Sequence, residues 1–323
     1  MLNSYISISK NKLFVFSAVC LLSLFIVLHF LYFENFTRQV IKNDRSTKNF
    51  HFIKKEGANI KIACIGTSHT GDAIKMHKNF FFNYARSSTW YPQVAYAKVS
   101  HLLTYAPNLK VLLLEVDHIS ILSYDPTLHT TMPDQYLYLL KHVDKPLYEE
   151  NNLELDDREF TLLYSLNEDV APVIHRKYFQ SYLMGQRHKN EEVSPWSTLT
   201  SKEKITSARK RTHSYHIDTP SNIDNAVHDY YLKAIKEAKN KGINVYLLFN
   251  PQTKEYLDQI SPDNHILVDA FVFKLSEIEN VKVLDYRHLF DVNESLFENQ
   301  DHVNKNGSAI LTKKVVYAIK NDL

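Results

Sequence analysis

The sequence predicts an α/β fold: a doubly wound parallel sheet in three α/β/α layers, with an N-terminal transmembrane helix and a mostly helical insertion. Three observations predict it. Short apolar runs alternate with helical stretches on both sides of residues 125–215. The links between them are short, so the strands pair in parallel through crossover helices. Finally, Leu13 to Phe33 (LFVFSAVCLLSLFIVLHFLYF) is 21 residues long without one Asp, Glu, Lys or Arg.

That last run matches a hydrocarbon core of about 30 Å. Phe30, Tyr32 and Phe33 at its end suit the membrane interface. It is long for the core of a signal peptide, and no small-x-small cleavage site follows. Residues 1–12 then form a cytoplasmic tail, 13–33 an uncleaved anchor, and 34–58 a polar tether without apolar periodicity. Lys10 and Lys12 precede the span while Arg38, Lys42, Arg45 and Lys48 follow it, so a basic-residue count opposes an N-in orientation. Large domains translocate regardless of such charges, and the motif below places the domain on the extracytoplasmic side of the cell membrane.

The folded domain is read as residues 59–323. Ile60 to Ile65 is an apolar strand ending at Gly66. Gln93 to Leu103 has helical spacing, with Val94, Ala97, Val99, Leu102 and Leu103, before Pro107 and Asn108 break the chain. Val111 to Val116 is apolar enough to be covered on both faces. Residues 125–215 carry helical patterns at Tyr136–His142 and Glu159–Leu166 and read as an insertion, their charged patches as solvated faces. Strand and helix then alternate again. Asp224 to Asn240 is an amphipathic helix closed by Gly242, Ile243 to Phe249 a strand, and Leu267 to Ile278 a helix. Val281 to Tyr286 is a further strand. The last helix runs from about Ser308 to Ile319, started by Asn304 or Asn306.

Composition excludes several classes. The chain has 323 residues, 38 Lys+Arg against 36 Asp+Glu, and 12% aromatic residues. A net charge of +2 leaves no nucleic-acid footprint, and the aromatic content opposes disorder. The two cysteines, Cys20 and Cys64, lie in separate apolar runs, so neither a disulfide nor a Cys-based zinc site is expected.

Ligands of open parallel sheets sit at the carboxyl ends of the strands. Two motifs fall there: Gly66-Thr67-Ser68-His69-Thr70-Gly71 after the first strand, and Asp301-His302-Val303-Asn304-Lys305-Asn306-Gly307 before the last helix. A serine on a tight strand-to-helix turn exposes its hydroxyl, and its own N–H can face a developing oxyanion. A histidine at the same edge can take the hydroxyl proton. The bland alternatives are that Ser68 caps a helix and that His302 is one of 16 ordinary histidines. Asn304 reads as the cap of the last helix, and His69 as packing on the turn or orienting a substrate.

With the loop Asn250-Pro251-Gln252-Thr253, these motifs resemble the SGNH (GDSL-type) hydrolase superfamily over residues 59–124 and 224–323. They are most similar to its membrane-anchored members that act on acyl groups of cell-envelope polysaccharides. The resemblance implies an SGNH or flavodoxin-like sheet, Ser68 as nucleophile and oxyanion donor, and His302 as general base. It implies no metal or organic cofactor. The acid of the family sits three residues before the histidine, where this chain has Asn299; Asp301 is the other candidate, although adjacent side chains seldom meet. The second family block matches Asn83 to Ser88, which lacks the usual glycine and puts Arg86 and Ser87 near the oxyanion or substrate. The third block falls on Glu115 to His118, where Asp117 and His118 stand as substrate contacts and a carboxylate would repel an oxyanion. Trp90, Tyr91 and Trp196 can stack on sugar rings.

The expected function is transfer or hydrolysis of an acyl group, acetyl above all, on a cell-surface polysaccharide or glycan through an acyl-serine. The resemblance also implies a multi-pass membrane acyltransferase as partner. A glycan-binding or assembly protein on the same fold is the alternative, favoured by the altered family positions; an esterase facing the cytoplasm is a third.

Overall fold

The computed structural model describes residues 10–43, 45–75, 80–85, 92–123 and 195–323. The chain divides into two units, of which the second begins at Asn49. In the first, helix α1 spans Lys10–Asn43. Its apolar side chains Phe14, Val19, Leu22, Phe25 and Leu28 are exposed. Among the described residues, no helix is long and apolar enough to cross a membrane.

The segment read as a tether is helical over most of its length. Helix α1 continues through Asn43, and α2 follows at Arg45–Glu56. Ile53 is fully buried, and the ring of Phe52 stacks on Phe82 with centroids 5.2 Å apart. The segment reads as polar because its few apolar residues stand among lysines without a periodic signal, yet Phe52 and Ile53 are packed into the sheet unit.

The sheet unit has five parallel strands: β1 (Ile62–Ile65), β2 (Phe81–Asn83), β3 (Val111–Glu115), β4 (Asn244–Phe249) and β5 (Val281–Asp285). Their spatial order is β2-β1-β3-β4-β5, every neighbouring pair parallel. The order reverses at β1, so the carboxyl ends of β1 and β3 flank the crevice where such sheets bind ligands. The described helices of this unit are α3 (Ser68–Ala73), α4 (Pro92–Tyr105), α5 (His118–Leu122), α6 (Ser201–Ser214), α7 (Asn225–Asn240), α8 (Lys254–Leu257), α9 (Pro262–Ser276) and α10 (Lys305–Ile319).

Alternate strand residues face opposite sides of a sheet. Ile62, Cys64, Val111, Leu113, Tyr246 and Leu248 join Leu311, Val315 and Ile319 of α10 in one apolar cluster. The intervening Ala63, Ile65, Leu112, Leu114, Val245 and Leu247 are equally buried, so both faces are covered. Helix α7 packs on α4 and β4. It buries Val227, Tyr231, Ile235 and Ala238 at helical spacing and ends at Gly242, whose φ of +68° a side chain would disfavour. Asp224 caps its start, and Asn304 caps α10 by accepting from the N–H groups of Asn306 and Gly307.

Three expectations shift. The short edge strand β2 went unread because three residues cannot establish a period. Residues 195–215, assigned to the insertion, contain α6, which packs against α8 within the sheet unit. Its start carries a full capping box between Thr200 and Glu203. Trp196, offered as a sugar-stacking residue, is buried in the core cluster and presents no ring to solvent. The stretches Tyr136–His142 and Glu159–Leu166, and the residues Trp90 and Tyr91, lie outside the described residues. Cys20 and Cys64 are both free.

Replacing Ile53 by Ala removes an apolar contact that α2 makes with the sheet unit. The expected loss of stability is about 2–4 kcal/mol, read from chemical denaturation. A change under about 0.5 kcal/mol would show that Ile53 does not anchor α2.

Candidate active site

Strand β1 delivers the chain to Gly66 and Thr67, and α3 begins at Ser68. A Cβ on Gly66 would sit 2.5 Å from the Glu115 Oε2 and 2.7 Å from its Cβ, so only glycine lets β1 pass the end of β3 this closely. The Glu115 carboxylate accepts from the Thr67 N–H at 3.0 Å, the Thr70 N–H at 2.9 Å and the Thr67 hydroxyl at 2.6 Å. Burial and the neighbouring Asp117 charge push its pKa up to about 7, against His69 and those threonine bonds. Glu115 therefore braces the turn from inside; it is buried and does not stand as a free charge at the surface.

Thr67, not Ser68, caps α3: its Oγ1 accepts from the His69 N–H at 3.2 Å. Ser68 takes the first helical position, where its own N–H has no intrahelical acceptor. It is the exposed residue of an otherwise buried stretch from Ile62 to Thr70. Its Oγ lies 2.9 Å from His302 Nε2.

His302 arrives on a tight return between Phe297 and Val303, which form an isolated antiparallel bridge. The Glu298 N–H donates to the His302 carbonyl at 2.9 Å. Asn299 shapes the turn: its Oδ1 accepts from the backbone N–H groups of Asp301 at 3.1 Å and His302 at 3.0 Å. The same oxygen is 3.2 Å from His302 Nδ1, and Asp301 Oδ1 is 3.0 Å from it. The expectation that adjacent side chains do not meet is thus corrected, because the tight return turns Asp301 onto its neighbour's ring. A carboxylate beside Nδ1 holds a proton there and leaves Nε2 free to accept from the Ser68 hydroxyl.

Asp301 is buried and makes further contacts. Its Oδ2 lies 3.1 Å from His69 Nε2 and accepts from the Arg211 Nε at 2.7 Å. Burial opposes its charge, yet the hydrogen bonds of His302 and His69 hold its carboxyl well below the ordinary range. His69, also buried, places Nδ1 against the Asp117 carboxylate. Burial disfavours the charged His69 ring, but Asp117 and Asp301 outweigh it and raise its pKa well above the ordinary value. The His302 pKa is lowered, by burial and by the His69 and Arg211 charges against the pull of Asp301.

The remaining sequence candidates fall elsewhere. Asp117 is fully buried, bonds His69 and caps α5 through Ser120, so its side chain is closed to a substrate. His118 is also fully buried, its ring 4.6 Å from that of His265; burial and the His265 charge lower its pKa to about 3. Neither reaches solvent as a substrate contact would. Arg86 and Ser87 lie outside the described residues. Sequence reading missed Arg211 altogether, since nothing in a helix 90 residues from Asp301 signals the contact.

Donor atoms of His69, Asp301 and His302, and separately of His69, Glu115 and Asp117, lie within 4.8 Å of one another. Both sets are already joined by hydrogen bonds to these or neighbouring groups, and a metal ion would have to displace the protons that hold them. The arrangement suits proton transfer from a hydroxyl. No family model, curated protein or solved structure matches the chain.

Glu115→Ala would strand the N–H groups of Thr67 and Thr70 in the interior, with an expected cost of about 3 kcal/mol or more in denaturant unfolding. Glu115→Gln retains a carbonyl acceptor and is expected to cost less than half as much. Equal losses in the two variants would exclude the bracing role.

Proposed function

We propose that the chain is a membrane-anchored serine esterase or O-acyltransferase of SGNH type, acting on acyl groups of a cell-surface glycan. The observation that carries it is the Ser68 Oγ to His302 Nε2 contact of 2.9 Å, backed by Asp301 Oδ1 at 3.0 Å from Nδ1. The β2-β1-β3-β4-β5 order, with Ser68 after β1 and His302 before α10, supports the SGNH reading. The anchor rests on the sequence alone, on the apolar run from Leu13 to Phe33 without a charged residue. A multi-pass acyltransferase as partner rests on the resemblance alone.

The chemistry follows from the geometry. His302 Nε2 takes the Ser68 proton as Oγ attacks the ester carbonyl. The Ser68 N–H is the available donor toward the oxyanion. Collapse of the tetrahedral intermediate breaks the bond to the leaving oxygen, which receives the proton from His302, and leaves an acyl-serine. Water or a sugar hydroxyl then attacks that ester, gives its proton to His302, and the proton returns to Ser68. Asp301 stabilises the imidazolium in each half-reaction.

Ser68→Ala is expected to abolish both turnover of an acetyl ester and labelling by a serine-reactive phosphonate, with unchanged circular dichroism. Wild-type chain that takes no label at Ser68 would overturn the catalytic reading in favour of a glycan-binding protein. Asp301→Asn is expected to lower turnover by about 10³–10⁴. His302 must be neutral to act, so activity falls as pH drops through its pKa. With that pKa lowered, the acidic limb of kcat/KM is expected below the ordinary histidine value of about 6.5. For the anchor, alkaline carbonate is expected to leave the chain in the membrane pellet; release into the supernatant would sink it.

A further inference from the structure

We propose that His69 is a positioning residue: a permanently protonated imidazolium bridging Asp117 and Asp301, which fixes the acid that faces His302. The inference deepens the catalytic reading above and rests on it for its mechanistic meaning, though not for its test.

Geometry carries the case. An ionised carboxylate offers only acceptors, so a ring nitrogen facing one must carry a proton. His69 faces two, with Nδ1 on Asp117 Oδ2 and Nε2 at 3.1 Å from Asp301 Oδ2. A neutral ring would satisfy one carboxylate and press a lone pair against the other, in a site where Asp117 is 0% and Asp301 1% exposed. The doubly protonated ring satisfies both. Every element around the pair contributes a group: Glu115 from β3, Asp117 before α5, Arg211 from α6, and Asp301 and His302 before α10. The phenols of Tyr215 and of Tyr256, the latter fully buried on α8, lie within electrostatic reach. Arg211 grips the same Asp301 oxygen from the opposite chain segment. Two cations therefore flank one carboxylate, and its other oxygen is left for His302.

The nucleophile turn thus supplies two functions from adjacent residues. Ser68 points out to His302, and His69 points in to the acid. Their shared backbone gives the hydroxyl a second connection to the Asp301 carboxylate, beside the one through His302. The His69 and His302 rings meet edge to face at 4.7 Å, so the charge on His69 also disfavours a proton on His302. Loss of that charge raises the His302 pKa in two ways that act together: a repulsion disappears, and Asp301 pulls harder on His302.

The test is nitrogen NMR of the ¹⁵N-histidine-labelled full chain in detergent, the His69 and His302 signals assigned by loss in His69→Gln and His302→Gln. The expected result is a His69 ring protonated on both nitrogens from about pH 5 to about pH 9, while His302 titrates. In His69→Gln the His302 midpoint is expected to rise by about one pH unit or more. A neutral His69 tautomer at neutral pH, or an unmoved His302 midpoint in a folded His69→Gln chain, would overturn the proposal. Should His69→Gln fail to fold, Asp117→Asn serves: it keeps an acceptor for Nδ1 but removes a charge, and His69 is expected to begin titrating within the same range. A His69 that then stays fully protonated throughout would count against the bridge. None of these readings uses turnover, so an inert Ser68 would sink the catalytic assignment and leave the result at His69 to be judged by itself.

Discussion

The site depends on one buried carboxylate. Asp301 has no solvent to stabilise its charge, and the donors of His302, His69 and Arg211 take the place of that solvent. These partners come from the residue next in sequence, from the first strand-to-helix turn and from a helix otherwise assigned to an insertion. A charge that needs three separate segments to be tolerated also holds those segments in register. Removing one partner weakens what holds the others, which is why such networks resist piecemeal change.

The turn after β1 solves a second constraint. A hydroxyl held in a fixed geometry at the surface needs rigid backbone around it. Gly66 lets β1 pass β3 at a separation no side chain would permit, and the Glu115 carboxylate gathers the N–H groups of Thr67 and Thr70. Thr67 takes the capping role, which leaves the Ser68 hydroxyl to face His302. A carboxylate at this strand end, read from sequence as hostile to an oxyanion, instead points back into the turn. The return loop before α10 works in the same manner: Asn299 spends its oxygen on two backbone N–H groups and so brings neighbouring side chains onto one ring.

Much of the scaffold was legible in advance. Strands β1, β3 and β4 carry continuous apolar runs, β5 a short β-branched alternation, and helices α4, α7, α9 and α10 apolar residues at helical spacing, signals that depend only on local sequence. The caps at Asp224 and Asn304 and the terminator Gly242 were readable for the same reason. Strand β2 was too short to show a period. Helix α2 reads as polar because its few apolar residues, Phe52 and Ile53 among them, show no helical stripe.

By itself, the order of residues determined the parallel α/β architecture and the candidates Ser68 and His302, since a strand end and a helix start are local events. Only the tertiary structure decided which carboxylate meets His302, that His69 and Arg211 contact it, and that Asp117 and His118 are interior. Those outcomes rest on contacts between residues up to 232 positions apart. A carboxylate's role is set by what surrounds it in space, and spacing along the chain carries no record of that.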